Sequence, residues 1–135
     1  MTRFVVSAGA VLQLASAGVD VPREHTLLAP TLLRSETLSA LHEAVVRGNL
    51  PADVARDQHA RIRRMPIRLL GDAVLQRRAW DIADRLGWAS TYDAEYIGLT
   101  QLQGDAFITL DPELARSVEG IVATASIEAL RPRDR

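Results

Sequence analysis

The sequence predicts an α/β protein in which a small parallel sheet carries helices on both faces. Short apolar runs rich in β-branched residues alternate with longer segments whose apolar residues recur at helical spacing. Strands separated by helices indicate parallel pairing rather than hairpins. The chain has 135 residues, 47% of them hydrophobic and 24% charged, which suits one globular domain over residues 1–135.

The predicted strands are short and apolar. The first contains Phe4-Val5-Val6, a bulky β-branched run typical of a strand that is covered on both faces. Five such runs are predicted strands, at residues 3–6, 27–29, 66–70, 106–110 and 121–123.

Capping and breaking residues delimit the predicted helices. Gly18 and Gly48 follow the last periodic residues of the first two helices, where glycine commonly ends a helix. Pro51 opens the third helix and Asp72 caps the fourth. The six predicted helices cover residues 8–17, 31–47, 51–63, 72–86, 91–102 and 111–118, and Thr31 is the expected N-cap of the second.

Composition excludes several classes of site. All sixteen basic residues are arginine, and seventeen acids leave a net charge of −1, so no overall positive field attracts nucleic acid. The absence of cysteine excludes disulfides, thiolate metal sites and a cysteine nucleophile. No glycine-rich nucleotide-binding motif is present. The histidines match no metal motif; we expect His25 on a turn, and His42 and His59 on exposed helices.

The N-terminus has two interpretations. Arg3 and the apolar stretch 4–15 imitate a secretory signal, but Ser7, Gly9 and Gln13 interrupt it. A buried strand followed by a helix explains the same residues. No apolar run approaches the roughly 20 residues that span a bilayer. We therefore expect a cytoplasmic protein with no membrane partner.

Three carboxylates occupy unusual positions. Glu36 lies within an apolar helical stripe, Asp93 shares a helix face with apolar residues, and Asp111 directly follows a predicted strand. The carboxyl ends of parallel strands are where sites form in open α/β sheets. Converging carboxylates repel one another unless a cation neutralises them, and Mg²⁺ or Mn²⁺ suits an all-oxygen ligand set. Such a metal activates water for attack on a phosphodiester.

Each carboxylate also has a structural interpretation. Asp93 can interact with the N-terminal dipole of its helix, and Asp111 can be an N-cap. Glu36 can pair with Arg34 or Arg47. The three positions together favour a metal-dependent phosphodiesterase, whereas a plain ligand-binding α/β domain would leave them unexplained.

Four segments carry a family resemblance: FVVSAGAV at 4–11, APTLLRSE at 29–36, TYDA at 91–94 and TLD at 109–111, with RAWDIA at 78–83 before the third. In this order and spacing, the chain resembles PIN-domain proteins of the VapC type, the toxin half of bacterial toxin–antitoxin pairs. The resemblance runs from residue 3 to near residue 130. It implies a three-layer α/β/α sandwich around a small parallel sheet, in agreement with the predicted elements.

The resemblance also implies a function. Proteins of this family are Mg²⁺- or Mn²⁺-dependent endoribonucleases that cut RNA with a metal-activated water, usually form homodimers and are silenced by a small antitoxin protein. By position, Glu36, Asp93 and Asp111 correspond to metal-site carboxylates, and Thr109 to the hydroxyl that orients the cluster.

One position departs from the family pattern. Ser7 stands where the family's first acid closes the first strand, and a neutral hydroxyl is a poor metal ligand. Asp20, Asp105 and Glu95 are not placed to replace it. The metal is then held more weakly by three acids, or the site is degenerate, or Ser7 is an introduced inactivating change. The alternative function is a weakened or inactive binding module for RNA or antitoxin.

Candidate RNA contacts are less distinct. The densest basic cluster comprises Arg61, Arg63, Arg64 and Arg68. Arginine suits phosphate contact, although a solvated helix end also explains such a cluster. Trp88, Tyr92 and Tyr96 lie near the carboxylates and can stack on bases, with core packing as the alternative for Tyr96.

Overall fold

The structure, a computed structural model that describes residues 1–132, alternates strands and helices along the chain. The strands are β1 (Thr2–Val6), β2 (His25–Pro30), β3 (Ile67–Leu70), β4 (Ala106–Ile108) and β5 (Thr124–Ala125). The helices are α1 (Ala8–Ala17), α2 (Leu32–Val46), α3 (Ala52–Arg64), α4 (Ala73–Leu86), α5 (Tyr92–Gln103) and α6 (Pro112–Ser117), followed by a 3₁₀ turn at Ile127–Leu130.

All strand pairs are parallel, and the sheet order is β3-β2-β1-β4-β5. The chain moves outward from β1 to β3, then crosses back to place β4 on the other side of β1. Right-handed crossovers therefore put α1, α2 and α3 on one face, and α4 and α5 on the other. Helix contacts follow this division, since α1, α2 and α3 pack together and α4 packs against α5. The predicted α/β/α sandwich is confirmed.

The central strand β1 lies at the middle of the core. Val5 and Val6 are fully buried, as are Phe107 and Ile108 on the neighbouring β4. The N-terminal residues therefore form the buried strand and helix that the sequence predicts. No helix in the described part of the chain is long and apolar enough to cross a membrane.

Three local predictions need correction. The last strand is Thr124–Ala125 rather than 121–123, because the N–H groups of Ile121 and Val122 donate to the carbonyl of Val118 in a turn and cannot pair with β4. The fourth strand ends at Ile108, two residues before the predicted end at residue 110. His25 begins β2 instead of lying on a turn, and its ring packs edge-on against Phe4.

The N-caps differ in how they are made. Thr31 occupies the N-cap position of α2, but its side chain makes no capping hydrogen bond. Ser7, which joins β1 to α1, is a complete cap, because its Oγ accepts a hydrogen bond from the N–H of Ala10 at 3.1 Å. This residue therefore has a structural role that is independent of any ligand.

Gly104 ends α5 and lies against the central strand. Its φ of −96° suits any residue, so close approach rather than backbone conformation requires glycine. A Cβ here would lie 2.8 Å from Val5 Cγ2 and 3.2 Å from Thr100 Cα. Because Val5 is fully buried in β1, it cannot yield without moving the strand.

Replacing Gly104 with alanine is expected to lower the free energy of unfolding by about 1–3 kcal/mol, as overpacking a filled core does. The control is Gly9→Ala in α1, where an added Cβ would lie 4.0 Å from the Ser7 Oγ, its nearest neighbour. Urea unfolding of both variants checks the difference. Equal stability of the two variants would contradict the close contact at Gly104.

The cap at Ser7 gives a second stability prediction. Ser7→Ala is expected to lower the free energy of unfolding by about 1 kcal/mol, because the N–H of Ala10 loses its acceptor. Ser7→Asn is the matched control, since asparagine caps as well as serine and adds no charge. Urea unfolding is again the measurement, and an equal loss in both variants would show that capping is not the cause.

Candidate active site at the sheet switch point

The candidate site lies at the carboxyl ends of β1 and β4, where the order of the strands reverses direction. The Ser7 N–H donates to the Ile108 carbonyl oxygen at 3.0 Å, so the segments leaving both strands stay side by side. A crevice at such a switch point is the usual ligand site of open α/β sheets. Here it is a cavity of about 360 Å³. Its lining includes Ser7, Glu36, Asp93, Thr109 and Asp111.

Four separate stretches of chain supply these side chains. Ser7 follows β1, Thr109 and Asp111 follow β4, Glu36 lies in the second turn of α2, and Asp93 lies in the first turn of α5. The structure thus places on one cavity the positions singled out by the resemblance, which are up to 104 residues apart in sequence.

Glu36 is held by a tyrosine rather than by an arginine. The Tyr96 hydroxyl donates to Glu36 Oε1 at 2.6 Å, and Tyr96 is itself buried and packed against Phe107. Arg47 pairs instead with Glu43, and no ion pair to Glu36 is present in residues 1–132. The carboxylate therefore has one strong, directional hydrogen bond and no compensating charge.

Asp93 interacts electrostatically with both of the other carboxylates. Burial raises the pKa of Glu36, and the charge of Asp93 raises it further against the lowering effect of the Tyr96 hydrogen bond. Burial also raises the pKa of Asp93, with a contribution from the charge of Asp111. Burial and the Glu36 carboxylate together raise the pKa of the Tyr96 hydroxyl, which stays protonated and able to donate.

Asp111 has a structural role as well. Its Oδ1 accepts hydrogen bonds from the N–H groups of Glu113 at 3.0 Å and Leu114 at 3.3 Å, which caps α6. The Thr109 hydroxyl accepts from the Asp111 N–H at 3.1 Å and fixes the turn between β4 and α6. The N-cap interpretation and the site interpretation of Asp111 are therefore compatible, because its second carboxylate oxygen makes none of these bonds.

The charges fit a cation, although the side chains do not form a closed metal cage. No arginine or histidine lines the cavity within the described residues. Nor does any group of three or more histidine, aspartate or glutamate side chains there converge closely enough to hold a metal by itself. All-oxygen donors with unbalanced negative charge suit Mg²⁺ or Mn²⁺, and Mg²⁺ is commonly bound by one or two carboxylates with water and substrate phosphates.

A second cavity of about 590 Å³ adjoins the first and shares Glu36, Asp93, Asp111 and Leu114 with it. The rest of its lining comes from the α4–α5 connection, the start of α5 and helix α6. We call this part the aromatic lobe: Gly87, Trp88, Ala89, Ser90, Tyr92, Glu113 and Ser117. Tyr92 is 59% exposed, unusually high for so large an aromatic side chain.

The four arginines of the basic cluster lie elsewhere. Arg61, Arg63 and Arg64 are exposed on the last turn of α3, and Arg68 is exposed on β3. Arg61 and Arg64 line a cavity of about 450 Å³ near the start of β2 and β3, and Arg63 lines one of about 500 Å³ between α2, α3 and β3. The cluster is thus divided between two surfaces, neither of which includes the carboxylates.

Two acidic residues near the site are missing from the sequence-based set. Glu95 is half-buried, and burial together with the charge of Glu36 raises its pKa, so it adds to the negative potential. Glu113 lines the aromatic lobe. Asp105, by contrast, is correctly set aside, because its carboxylate accepts from the Arg3 N–H at the other end of the sheet. No sequence signal identifies Glu113, since its place depends on the turn into α6.

Neither protein-family models nor curated proteins match the sequence. Solved structures do match the fold. PAE2754 from Pyrobaculum aerophilum has a TM-score of 0.71 at 21% identity and covers 96% of this chain and 93% of its own. VapBC2 from Rickettsia felis, solved with a DNA fragment from its promoter, has a TM-score of 0.64 at 7% identity, with coverages of 92% and 98%.

A third structure is VapC20 of Mycobacterium tuberculosis, described as a sarcin–ricin loop cleaving toxin. It has a TM-score of 0.62 at 16% identity, covering 84% of this chain and 94% of its own. At these identities, the similarity is one of fold. The chain has the α/β fold of the VapC-type PIN-domain toxins.

Proposed function

We propose that this protein is a divalent-metal-dependent endoribonuclease and the toxin of a type II toxin–antitoxin pair. The observation that carries the proposal is the convergence of Glu36, Asp93 and Asp111 on one cavity with no cationic side chain among its described lining residues. The VapC-type fold supports the same chemistry, because VapC20 is described as cleaving the sarcin–ricin loop.

Asp93 is the central metal-binding residue in this proposal. The charge of Asp111 raises the pKa of Asp93, and the charge of Asp93 raises the pKa of Glu36. Glu36 and Asp111 complete the set, and Thr109 keeps the Asp111 backbone in place. When bound, Mg²⁺ or Mn²⁺ supplies an activated water and offsets the charge that develops on the phosphodiester oxygens.

Ser7 determines how many carboxylates are available to bind the metal. Its hydroxyl caps α1 as an aspartate would, so the fold retains the capping function of this position while the cavity lacks a fourth negative charge. This observation favours a second candidate, a PIN-domain module that binds RNA or antitoxin with weakened or no cleavage. The two candidates differ in activity, not in fold.

The wider assignment follows from the same proposal. The partners are an RNA substrate, a small cognate antitoxin and a second copy of the chain in a homodimer, and the site of action is the cytoplasm. Arg61, Arg63, Arg64 and Arg68 remain proposed phosphate contacts, which would lie outside the carboxylate cavity. RNA would then have to extend well beyond the cut phosphodiester.

Cleavage of structured RNA by antitoxin-free protein tests the proposal. With Mg²⁺ or Mn²⁺ we expect EDTA-sensitive cleavage, reduced at least about 100-fold in Asp93→Asn because loss of a metal-binding charge removes several kcal/mol of transition-state stabilisation. Asp111→Asn separates charge from capping, since asparagine also caps a helix.

Ser7→Asp distinguishes the two candidates. Aspartate keeps the cap of α1 and restores a fourth carboxylate. If the unchanged chain cuts RNA, three carboxylates suffice; if only Ser7→Asp cuts, the native protein is the binding module. Absence of cleavage in both proteins, with structured and unstructured RNA, would contradict the nuclease proposal.

The Tyr96 hydroxyl is a proposed positioning group for Glu36. Tyr96→Phe removes the 2.6 Å hydrogen bond and leaves the ring packed against Phe107. We expect Mn²⁺ affinity, measured by calorimetry without RNA, to fall about 10-fold, as is usual when a group that orients a metal ligand is lost. Unchanged Mn²⁺ affinity in a folded variant would argue against this role.

A further inference from the structure

The aromatic lobe has features of a binding site that the nuclease proposal does not use. It continues from the carboxylate cavity, with which its own cavity shares Glu36, Asp93 and Asp111. Two neighbouring groups of one ligand could therefore occupy the lobe and the carboxylate cavity at the same time. Tyr92 belongs to the lobe and directly precedes Asp93 in the first turn of α5, so it lies next to the carboxylates.

Both aromatic rings stand on fixed backbone. The backbone N–H of Trp88 donates to the Ala83 carbonyl oxygen at 2.8 Å, which ties the residue to the end of α4. The Ser90 Oγ accepts from the Tyr92 N–H at 3.2 Å and fixes the start of α5. A preorganised site loses less conformational entropy on binding than a flexible one. Trp88 is half-buried, whereas Tyr92 is exposed.

The chemistry of the lobe favours an aromatic, uncharged ligand. Among the described residues, no arginine or histidine lines it, and Glu113 adds a negative charge, so a phosphate group is disfavoured there. Ser90 and Ser117 contribute neutral hydroxyls to the same lining, and the Ser117 hydroxyl, which donates to the Glu113 carbonyl oxygen, can still accept a hydrogen bond. Aromatic side chains next to neutral hydrogen-bonding groups are the usual means by which proteins bind unstacked bases.

We infer that the aromatic lobe binds one unstacked nucleobase of the RNA, stacked on Tyr92 and Trp88, next to the phosphodiester at Asp93. This inference rests on the proposed function for the class of its ligand. Glu113 lines the lobe, and its carboxylate can accept a hydrogen bond from an exocyclic amino group, as carboxylates do from cytosine. The lobe should therefore bind adenosine and cytidine more tightly than uridine.

A lobe that binds an unstacked base favours unpaired RNA over a duplex. A base within a duplex is stacked and paired, and its extrusion costs a few kcal/mol. The lobe should thus select loops, bulges and single strands. This is a preference of the lobe itself and does not depend on how strongly the metal binds.

Nucleoside binding can be measured without cleavage. Nucleosides have no phosphodiester to cut and no charge to be repelled by the carboxylates. The chain has two tryptophans, Trp88 in the lobe and Trp80, 65% exposed on α4 and outside it, so their indole N–H resonances in an NMR spectrum form a probe and an internal control. The Trp80→Phe variant assigns the two signals.

We expect adenosine and cytidine to shift the Trp88 signal and leave the Trp80 signal in place. Tyr92→Ala should weaken this binding about fivefold or more, the lower limit of base–aromatic stacking energies. Tyr92→Phe should retain it, because the ring remains. Glu113→Gln should reduce the preference for adenosine and cytidine over uridine.

Two other probes identify competing occupants. Argininamide stands in for an arginine side chain of a protein partner, and inorganic triphosphate for a phosphate backbone. A Trp88 shift with argininamide or triphosphate and none with nucleosides would overturn the inference, as would equal nucleoside binding by Tyr92→Ala and the unchanged chain.

The nuclease proposal can fail separately. Nucleoside shifts without RNA cleavage by any form of the protein would leave the base-binding lobe and remove the nuclease. Cleavage of single-stranded RNA with the same KM in Tyr92→Ala and the unchanged protein would leave the nuclease and remove the lobe.

Discussion

The pairing of β1 with β4 is the constraint on which the site depends. Because the chain returns from β3 to the far side of β1, two loops diverge at the carboxyl ends of β1 and β4 and leave a crevice between them. The hydrogen bond from the Ser7 N–H to the Ile108 carbonyl oxygen keeps these loops adjacent. Val5 and Val6 are buried and hold β1 in register with β4, next to the crevice.

Several residues that line the candidate site also stabilise the fold. Ser7 and Asp111 cap the helices that leave the two central strands, and Asp93 lies in the first turn of α5, where the helix dipole favours a negative charge. Helix N-termini thus offset part of the mutual repulsion among these groups. This explains how a chain can place uncompensated carboxylates around one cavity and still fold, and why Ser7 is compatible with a capped α1.

The predicted elements agree closely with the structure where local signals are strong. Gly18 and Gly48 follow α1 and α2 in left-handed conformations, and Asp72 caps α4 through the Leu75 N–H. Prediction fails where a local pattern competes with a turn. The apolar run at 121–123 has the composition of a strand, yet hydrogen bonds to Val118 use two of its N–H groups, and only the Ala123 carbonyl oxygen accepts a hydrogen bond from β4, from the Phe107 N–H at 2.9 Å.

Sequence alone determined the order of strands and helices and the α/β class, because periodicity, capping and spacing are local properties of the chain; it also singled out Glu36, Asp93 and Asp111 as candidate site residues. The resemblance to the VapC-type family also singled out Ser7, where that family has an acid. Only the tertiary structure decided that Glu36 bonds to Tyr96 rather than to an arginine, that the basic cluster lies apart from the carboxylates, and that Glu113 joins Trp88 and Tyr92 in one lobe. These relations join side chains far apart in sequence, and they follow from sheet order and helix packing, which no local pattern encodes.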